Sequence, residues 1–221
     1  MTIVCLEGPS GVGKTTAASA FCEAVDAVRV PEVNELFDPP AAPDRTWYVE
    51  RQCDRWKRAL AAERDHDVAV LDGDVFQPLW YNWFAADADD GPGPFATVET
   101  VAAFYGERLH ERRVGFPDRY LLLGASTAIL RERAATDDDR TRRNFEYHLG
   151  LVGPQRAYFE ALAETTPGLV RFQEATTVDD TVAELAATVE RAPTPTDRFD
   201  EERLAAMAAW LDRHDASDVH S

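Results

Sequence analysis

The chain has 221 residues, of which 45% are hydrophobic, and a formal net charge of −17 at pH 7. This length suits one α/β domain with a small appendage, and no apolar run approaches the roughly 20 residues of a membrane span. The N-terminal residues have the pattern of a strand and not of a basic leader. The three cysteines lack the paired spacing of a metal site. The excess of acidic residues disfavours binding to nucleic acid or to anionic membranes. We therefore expect a cytoplasmic protein without disulfides or zinc.

The first predicted strand runs into a complete phosphate-binding loop pattern. Residues 1–6 form a short apolar run, and Gly-Pro-Ser-Gly-Val-Gly-Lys-Thr follows at residues 8–15. The glycines let the backbone curl so that successive N–H groups point at a β-phosphate, and the helix that begins near Lys14 adds its positive dipole end. In this pattern the lysine reaches the β- and γ-phosphates, and Thr15 binds the accompanying Mg²⁺. The predicted nucleotide site comprises Gly8, Pro9, Ser10, Gly11, Val12, Gly13, Lys14, Thr15 and Thr16.

Apolar, strand-like runs alternate with helical stretches along the rest of the chain, which indicates βαβ units and a parallel sheet. The strands are predicted at residues 1–6, 27–33, 68–72, 119–123 and 169–172. The helices are predicted at residues 15–25, 47–64, 97–113, 126–134, 145–164 and 178–191. The pattern therefore predicts an α/β fold of three layers around a five-stranded parallel sheet, as in phosphate-loop NTPases.

A proline-bearing stretch at residues 193–197 marks a predicted boundary. It would divide a phosphate-loop domain over residues 1–192 from a C-terminal extension over residues 193–221. Apolar residues from Phe199 to Leu211 suit one face of a terminal helix, which we expect to pack on the parent domain; a dimer contact or a frayed, tethered helix are the alternatives.

Acidic residues follow the second and third predicted strands, at the edge where open α/β sheets bind ligands. Asp72 ends the apolar run 68–71 and Asp74 comes two residues later, more than a helix cap requires. We predict Asp72, ahead of Asp74, as a magnesium ligand through water. Glu32 follows the second strand, where a carboxylate can accept the proton of an attacking hydroxyl; Glu35 competes for this role. A solvated loop acid is the alternative for either glutamate.

Five arginines fall within 13 positions after the fourth predicted strand: Arg131, Arg133, Arg140, Arg142 and Arg143. This density suits a lid that closes over the nucleotide and stabilises negative charge on the transferred phosphoryl group. Aspartates at 137–139 leave the alternative that the arginines neutralise acids on a solvated face. We predict an arginine-bearing lid in which Arg131 binds the nucleotide while Arg140 and Arg142 act on the phosphoryl group.

The helix predicted over residues 47–64 supplies the candidate acceptor site. Tyr48, Gln52 and Arg55 lie on neighbouring turns of this helix, near the ends of the second and third strands. We predict that all three bind the acceptor. Aromatic residues between 76 and 84 would stack a planar acceptor, although such a stripe is also typical of core packing.

These motifs resemble the nucleoside and nucleotide kinases, most closely the thymidylate kinase and deoxynucleoside kinase families. Residues 6–16 resemble the opening of those kinases, Val30-Pro-Glu32-Val is similar to the strand that carries their catalytic glutamate, and residues 126–146 are similar to their lid. The resemblance implies ATP as phosphoryl donor and Mg²⁺ as cofactor, and it allows a homodimer through helices packed on one sheet edge. In Leu71-Asp72-Gly-Asp, a glycine stands where the family has an arginine on the acceptor side.

The sequence thus predicts an ATP-dependent kinase whose small-molecule acceptor is a nucleoside or nucleoside monophosphate. Because Gly73 replaces the family's arginine, a kinase for a non-nucleoside alcohol, such as an antibiotic, a sugar or a vitamin precursor, is an alternative. A nucleotide-binding regulator without transfer activity is an alternative of a different class. The chain has no Asn-Lys-x-Asp motif for reading guanine, which favours ATP and disfavours a switch GTPase.

The charge balance carries a prediction about salt. All but two of the 23 basic residues are arginine, against 40 acidic residues, a balance similar to that of proteins from high-salt cytoplasm. A GC-rich genome would replace lysine by arginine without raising the acid count. We therefore expect a larger free energy of unfolding in molar KCl than in low salt, and equal stability in the two would contradict a halophilic origin.

Overall fold

Five parallel strands form the centre of the fold. A computed structural model describes residues 1–41, 43–44, 46–88, 93–135, 145–174, 176–192 and 197–218. The strands are β1 (Thr2–Glu7), β2 (Ala27–Val30), β3 (Val68–Asp72), β4 (Arg119–Gly124) and β5 (Val170–Glu174). They pair in the order β2-β3-β1-β4-β5, with every pair parallel. The predicted five-stranded parallel sheet is confirmed.

Helices cover both faces of this sheet. They are α1 (Lys14–Ala24), α2 (Val33–Leu36), α3 (Trp47–Asp65), α4 (Gln77–Asp87), α5 (Val98–His110), α6 (Thr127–Ala135), α7 (Phe145–Gly150), α8 (Val152–Thr165), α9 (Val178–Glu190) and α10 (Glu201–Arg213). Within the described ranges, no helix combines the length and apolarity that crossing a bilayer requires.

Two predicted elements are shorter than expected, and a proline explains each. The second strand ends at Val30 rather than Val33, because Pro31 has no N–H for the ladder. The helix predicted over 145–164 is interrupted at Leu151, between α7 and α8. The ring of Pro154 would clash with the carbonyl of Gly150 in a continuous helix, so the chain restarts there.

The strands separate two apolar cores because successive side chains point to opposite faces. Ile3, Cys5 and Leu71 lie in the core shared with α3, α4, α5, α8 and α10. Val4, Leu6 and Val70 lie in the core shared with α1, α6 and α9. The predicted three-layer α/β architecture is therefore confirmed.

The strand register brings three chain segments to one edge of the sheet. Leu6 of β1 pairs with Asp72 of β3, and Val30 of β2 pairs with Leu71. The segments that leave β1, β2 and β3 therefore start side by side at their carboxyl ends, where open α/β sheets bind ligands.

The C-terminal segment packs on the helical layer away from this edge. Helix α10 contacts α5 and α8, and its apolar side chains, Leu204, Met207 and Leu211, are buried. Before it, the guanidinium of Arg198 donates to Glu63 at 2.6 and 2.8 Å and to Asp118 at the same two distances. Residues 193–196 lie outside the described residues, and the division of the chain at this point stays a prediction.

Candidate functional site

The loop between β1 and α1 uses backbone conformations that favour glycine. Gly8, Gly11 and Gly13 have φ angles of 148°, 86° and 105°. A Cβ on Gly8 would lie 2.5 Å from the carbonyl oxygen of Leu123, so a side chain cannot fit there. Gly13 is the residue before the first turn of α1. The loop therefore ends at a helix N-terminus, whose free N–H groups and dipole favour an anion.

Lys14 lies over this loop. Its Nζ donates to the carbonyl oxygen of Gly8 at 2.7 Å and contacts that of Pro9 at 3.4 Å. Thr15, in the same first turn of α1, is half-buried, and Thr16 is exposed. The amine and the hydroxyls thus belong to one polar edge that a polyphosphate can reach.

A cavity of about 750 Å³, its open mouth included, lies beside the loop at the carboxyl ends of β1, β2 and β3. It brings together Lys14, Glu32 and the three predicted acceptor residues of α3. Its walls are formed by Glu7, Gly8, Pro9, Ser10, Lys14, Glu32, Val33, Tyr48, Gln52, Arg55, Gly73, Asp74, Gln77, Trp80, Tyr81, His148, Leu151 and Gln155.

Arg55 joins the strand ends beneath this cavity. Its side chain is almost fully buried, and Nε donates to the Pro31 carbonyl at 2.7 Å. Nη2 donates to the carbonyls of Asp72 at 2.7 Å and Gly73 at 2.9 Å, while Nη1 donates to Gln52 Oε1 at 2.7 Å. The guanidinium therefore fixes the turns after β2 and β3 and orients the Gln52 amide.

Asp72 is fully buried, but it does not line the cavity. Its Oδ2 accepts a hydrogen bond from Arg29 Nη1 at 2.8 Å, and Arg29 also pairs with Glu35. Asp72 Oδ1 has no hydrogen-bond partner among the described residues. At the end of β3, the acid that faces the cavity is Asp74.

A turn at Gly73, whose φ is 88°, places Asp74 against Glu7. The Asp74 N–H donates to Glu7 Oε2 at 2.5 Å, and Glu7 Oε1 accepts from the Gly8 N–H at 2.8 Å and from Gln155 Nε2 at 3.1 Å. Asp74 Oδ1 accepts from the Tyr120 hydroxyl at 3.0 Å. Two residues with buried carboxyl groups thus lie side by side in the cavity wall, next to the phosphate loop, and the Asp74 backbone joins them.

Burial is the main cause that raises the pKa of both carboxyl groups. Burial raises the pKa of Glu7, and the charge of Lys14 and hydrogen bonds from two backbone N–H groups oppose the effect. Burial, and then the charge of Glu7, raise the pKa of Asp74 to about 7. Asp74 therefore exchanges its proton near neutral pH.

This shift predicts that stability falls as the pH rises from about 4 to about 7. In that window the folded protein holds a proton on Asp74 that the unfolded chain, with an ordinary aspartate pKa of 3.8, has lost. The free energy of unfolding should therefore decline with pH and level off above about 7, and Asp74→Asn should remove this component of the slope. Urea unfolding of both proteins without magnesium, from pH 4 to 8, measures the difference. Parallel pH profiles would contradict the assignment.

Tyr48 and His148 complete the cavity wall from two different helices. Burial raises the pKa of Tyr48 to about 12, so its hydroxyl stays a hydrogen-bond donor at neutral pH. Burial, helped by the charge of Lys14 and opposed by that of Glu32, lowers the pKa of His148. The imidazole is therefore neutral at pH 7. Sequence reasoning did not find His148, because nothing in its local pattern predicts that α7 faces the phosphate loop.

The arginines of α6 have separate partners. Arg131 pairs with Glu146 at 2.8 Å, which joins α6 to α7, and both side chains are exposed. Arg133 Nη1 donates to the carbonyl of Val12 at 2.8 Å, and Nη2 donates to that of Thr176 at 3.0 Å. Arg133 is thus the α6 arginine that contacts the phosphate loop. Arg140 and Arg142, like the rest of 136–144, lie outside the described residues.

No protein-family model matches this chain, and no curated protein matches it. Solved structures do. Deoxyadenosine kinase from M. mycoides with bound dATP has a TM-score of 0.56 at 14% identity, covering 86% of this chain and 100% of that one. Thymidylate kinase from Candida albicans has a TM-score of 0.54 at 14% identity, covering 86% of this chain and 91% of that one.

The chain has the fold of the nucleoside and nucleotide kinases. A second structure of the M. mycoides enzyme, with products bound, has a TM-score of 0.54 at 11% identity and covers 85% of this chain and 98% of that one. The predicted group is therefore confirmed at the level of the fold. In this kinase fold, the phosphate loop and the neighbouring cavity belong to one edge of the sheet.

Proposed function

We propose that this protein is an ATP-dependent kinase that transfers the γ-phosphoryl group to a small-molecule acceptor, a nucleoside or a nucleoside monophosphate. The observation that carries the proposal is the cavity that Lys14 and Glu32 share. A donor phosphate on the loop and an acceptor in the cavity would meet between these two side chains. Proteins catalyse phosphoryl transfer mainly by such positioning of the reactants and by stabilising the charge of the transition state.

The phosphate loop and a second cavity would hold ATP. The second cavity lies on the other side of the loop, between Gly11–Gly13, Arg133 and Thr176–Thr177. It suits the nucleoside part of the donor, because it adjoins the loop and shares no lining residue with the acceptor cavity. Arg131 stays a proposed nucleotide-binding residue, and Arg140 and Arg142 stay proposed lid residues that neutralise charge on the transferred phosphoryl group.

Thr15 is the proposed direct magnesium ligand, and Asp72, whose buried carboxylate does not line the cavity, is the proposed ligand through water. Hydroxyl and carboxylate oxygens are the ligands that Mg²⁺ prefers, and the buried Asp72 Oδ1 has no hydrogen-bond partner in the described ranges. When bound, magnesium supplies charge neutralisation to the phosphates.

Glu32 is the proposed acceptor of the hydroxyl proton. It follows β2, it lines the cavity, and its exposed carboxylate can pass the proton to solvent. Tyr48, Gln52 and Arg55 would form the acceptor side, with Gln52 oriented by its hydrogen bond from Arg55.

Acceptor-dependent release of ADP tests this proposal. The assay contains ATP, Mg²⁺ and molar KCl, with a panel of nucleosides, nucleoside monophosphates, sugars and small alcohols. We expect stimulation by at least one nucleoside or nucleoside monophosphate. Stimulation by a non-nucleoside alone would leave a kinase with another acceptor, and tight ATP binding without any stimulation would instead indicate a nucleotide-binding regulator.

A further inference from the structure

Carboxylates from three strand ends cluster around Gly73 on the acceptor side of the cavity. Glu7 and Asp74 are joined at 2.5 Å through the Asp74 N–H. A Cβ on Gly73 would lie 3.4 Å from Glu32 Oε1 and 3.7 Å from Glu7 Oε2. The position of the family's arginine therefore opens directly onto Glu7 and Glu32.

The cations in the described part of the wall have other partners. Lys14 donates to the phosphate loop itself. Arg55 directs Nε to the Pro31 carbonyl, Nη1 to Gln52 and Nη2 to two further backbone carbonyls. Four of the five N–H donors of a guanidinium are thus in use, so Arg55 cannot present the bidentate fork with which arginine binds a phosphate.

We propose that the acceptor is an unphosphorylated alcohol, neutral or amine-bearing, and that Glu7, Glu32 and Asp74 exclude nucleoside monophosphates. An acceptor phosphate would meet the carboxylate of Glu32, and those of Glu7 and Asp74 once they are ionised, in a partly desolvated cavity where repulsion between like charges is strong. Hydroxyl or amino groups would instead find hydrogen-bond acceptors. Aromatic faces of Trp80 and Tyr81 in the same wall suit an apolar or cationic ring or amine.

This inference rests on the proposed kinase activity. In the transfer, the acceptor oxygen forms the new O–P bond while the bond from the γ-phosphorus to the bridging oxygen of ATP breaks. The hydroxyl proton passes to Glu32, and ADP leaves with the electron pair of the broken bond. The product is the phosphate monoester of the alcohol.

The test compares alcohols with their own phosphate esters as acceptors. Thymidine, deoxyadenosine, deoxycytidine, ribose and ethanolamine are each paired with their own monophosphate, and kcat/KM is measured with ATP and Mg²⁺ at pH 8, above the pKa of about 7 of Asp74. We expect at least one alcohol to exceed its ester by about 100-fold, equivalent to about 2.7 kcal/mol. A ratio of kcat/KM between alcohol and ester below tenfold in every pair that reacts, or a higher kcat/KM for the ester, overturns the inference but not the proposed kinase activity. Transfer to no compound defeats the proposed function, and the inference with it.

The variant Asp74→Asn tests whether the acidic side chains cause the selectivity for the alcohol over its phosphate ester. Removing this carboxylate should lower the ratio of kcat/KM between alcohol and ester by about tenfold. Asp54→Asn, on the outer side of α3 and paired with Arg51, is the matched control and should leave the ratio unchanged. Because both substrates are measured on one preparation, the ratio does not depend on the fraction of folded protein. An unchanged ratio in Asp74→Asn overturns the role of this carboxylate.

Discussion

Lys14→Ala should lower kcat/KM for phosphoryl transfer by about 10³-fold, the largest effect that we expect from a single side chain. The amine lies 2.7 Å from the Gly8 carbonyl, at the point where the loop would hold the β- and γ-phosphates. Without it, charge that develops on the phosphoryl oxygens loses its nearest described cation. ADP release in the presence of the best acceptor measures the loss.

Lys57→Ala is the matched control, because Lys57 is the other lysine of the chain and is exposed on α3. It should retain transfer. Both variants should unfold within about 1 kcal/mol of the parent protein, since each lysine makes few contacts. Transfer that survives in Lys14→Ala would refute the assigned role of the loop.

Arg55→Ala should reduce the free energy of unfolding by about 3–5 kcal/mol. The substitution leaves buried carbonyls of Pro31, Asp72 and Gly73 without their donor and frees the Gln52 amide. Arg55→Lys should recover little, because one ammonium cannot span acceptors that the planar guanidinium reaches together. Urea unfolding at fixed pH and salt measures both variants.

Arg58→Ala controls for the loss of an arginine from the same helix. Arg58 is exposed and lies over the ring of Phe37 at 5.4 Å from its centroid. Its removal should cost less than about 1 kcal/mol. Similar losses for Arg55→Ala and Arg58→Ala would contradict the structural role of the buried guanidinium.

The two aspartates after β3 show where sequence reasoning stops. The apolar run 68–71 predicts the strand and places acids at its end, but choosing between Asp72 and Asp74 needs the faces of the sheet. The side chains of Val70 and Asp72 lie on the same face of the sheet. Arg29 of β2 is the direct neighbour of Val70, so Asp72 is its diagonal neighbour on that face and forms an ion pair with it. The positive φ of Gly73 then turns Asp74 into the cavity, a conformation that the residue type permits but does not require.

The remaining site residues could not be predicted, because their contacts join segments that are far apart in the sequence. Glu7 is visible as an acid at the end of a buried strand, but its contact with Gln155 of α8 depends on tertiary packing. On α6, Arg131 and Arg133 are two positions apart and so point to different sides of the helix. Periodicity alone does not say which side faces Val12, whereas the phosphate-loop pattern is local and was predictable residue by residue.

The most direct test of the kinase assignment is ³¹P NMR of a reaction that contains ATP, Mg²⁺ and the best acceptor. The account predicts that the γ-phosphate signal is replaced by that of a phosphate monoester of the acceptor, in step with ADP, and that Lys14→Ala abolishes this change. Conversion of the γ-phosphate to inorganic phosphate alone, at a rate independent of every acceptor, would contradict it.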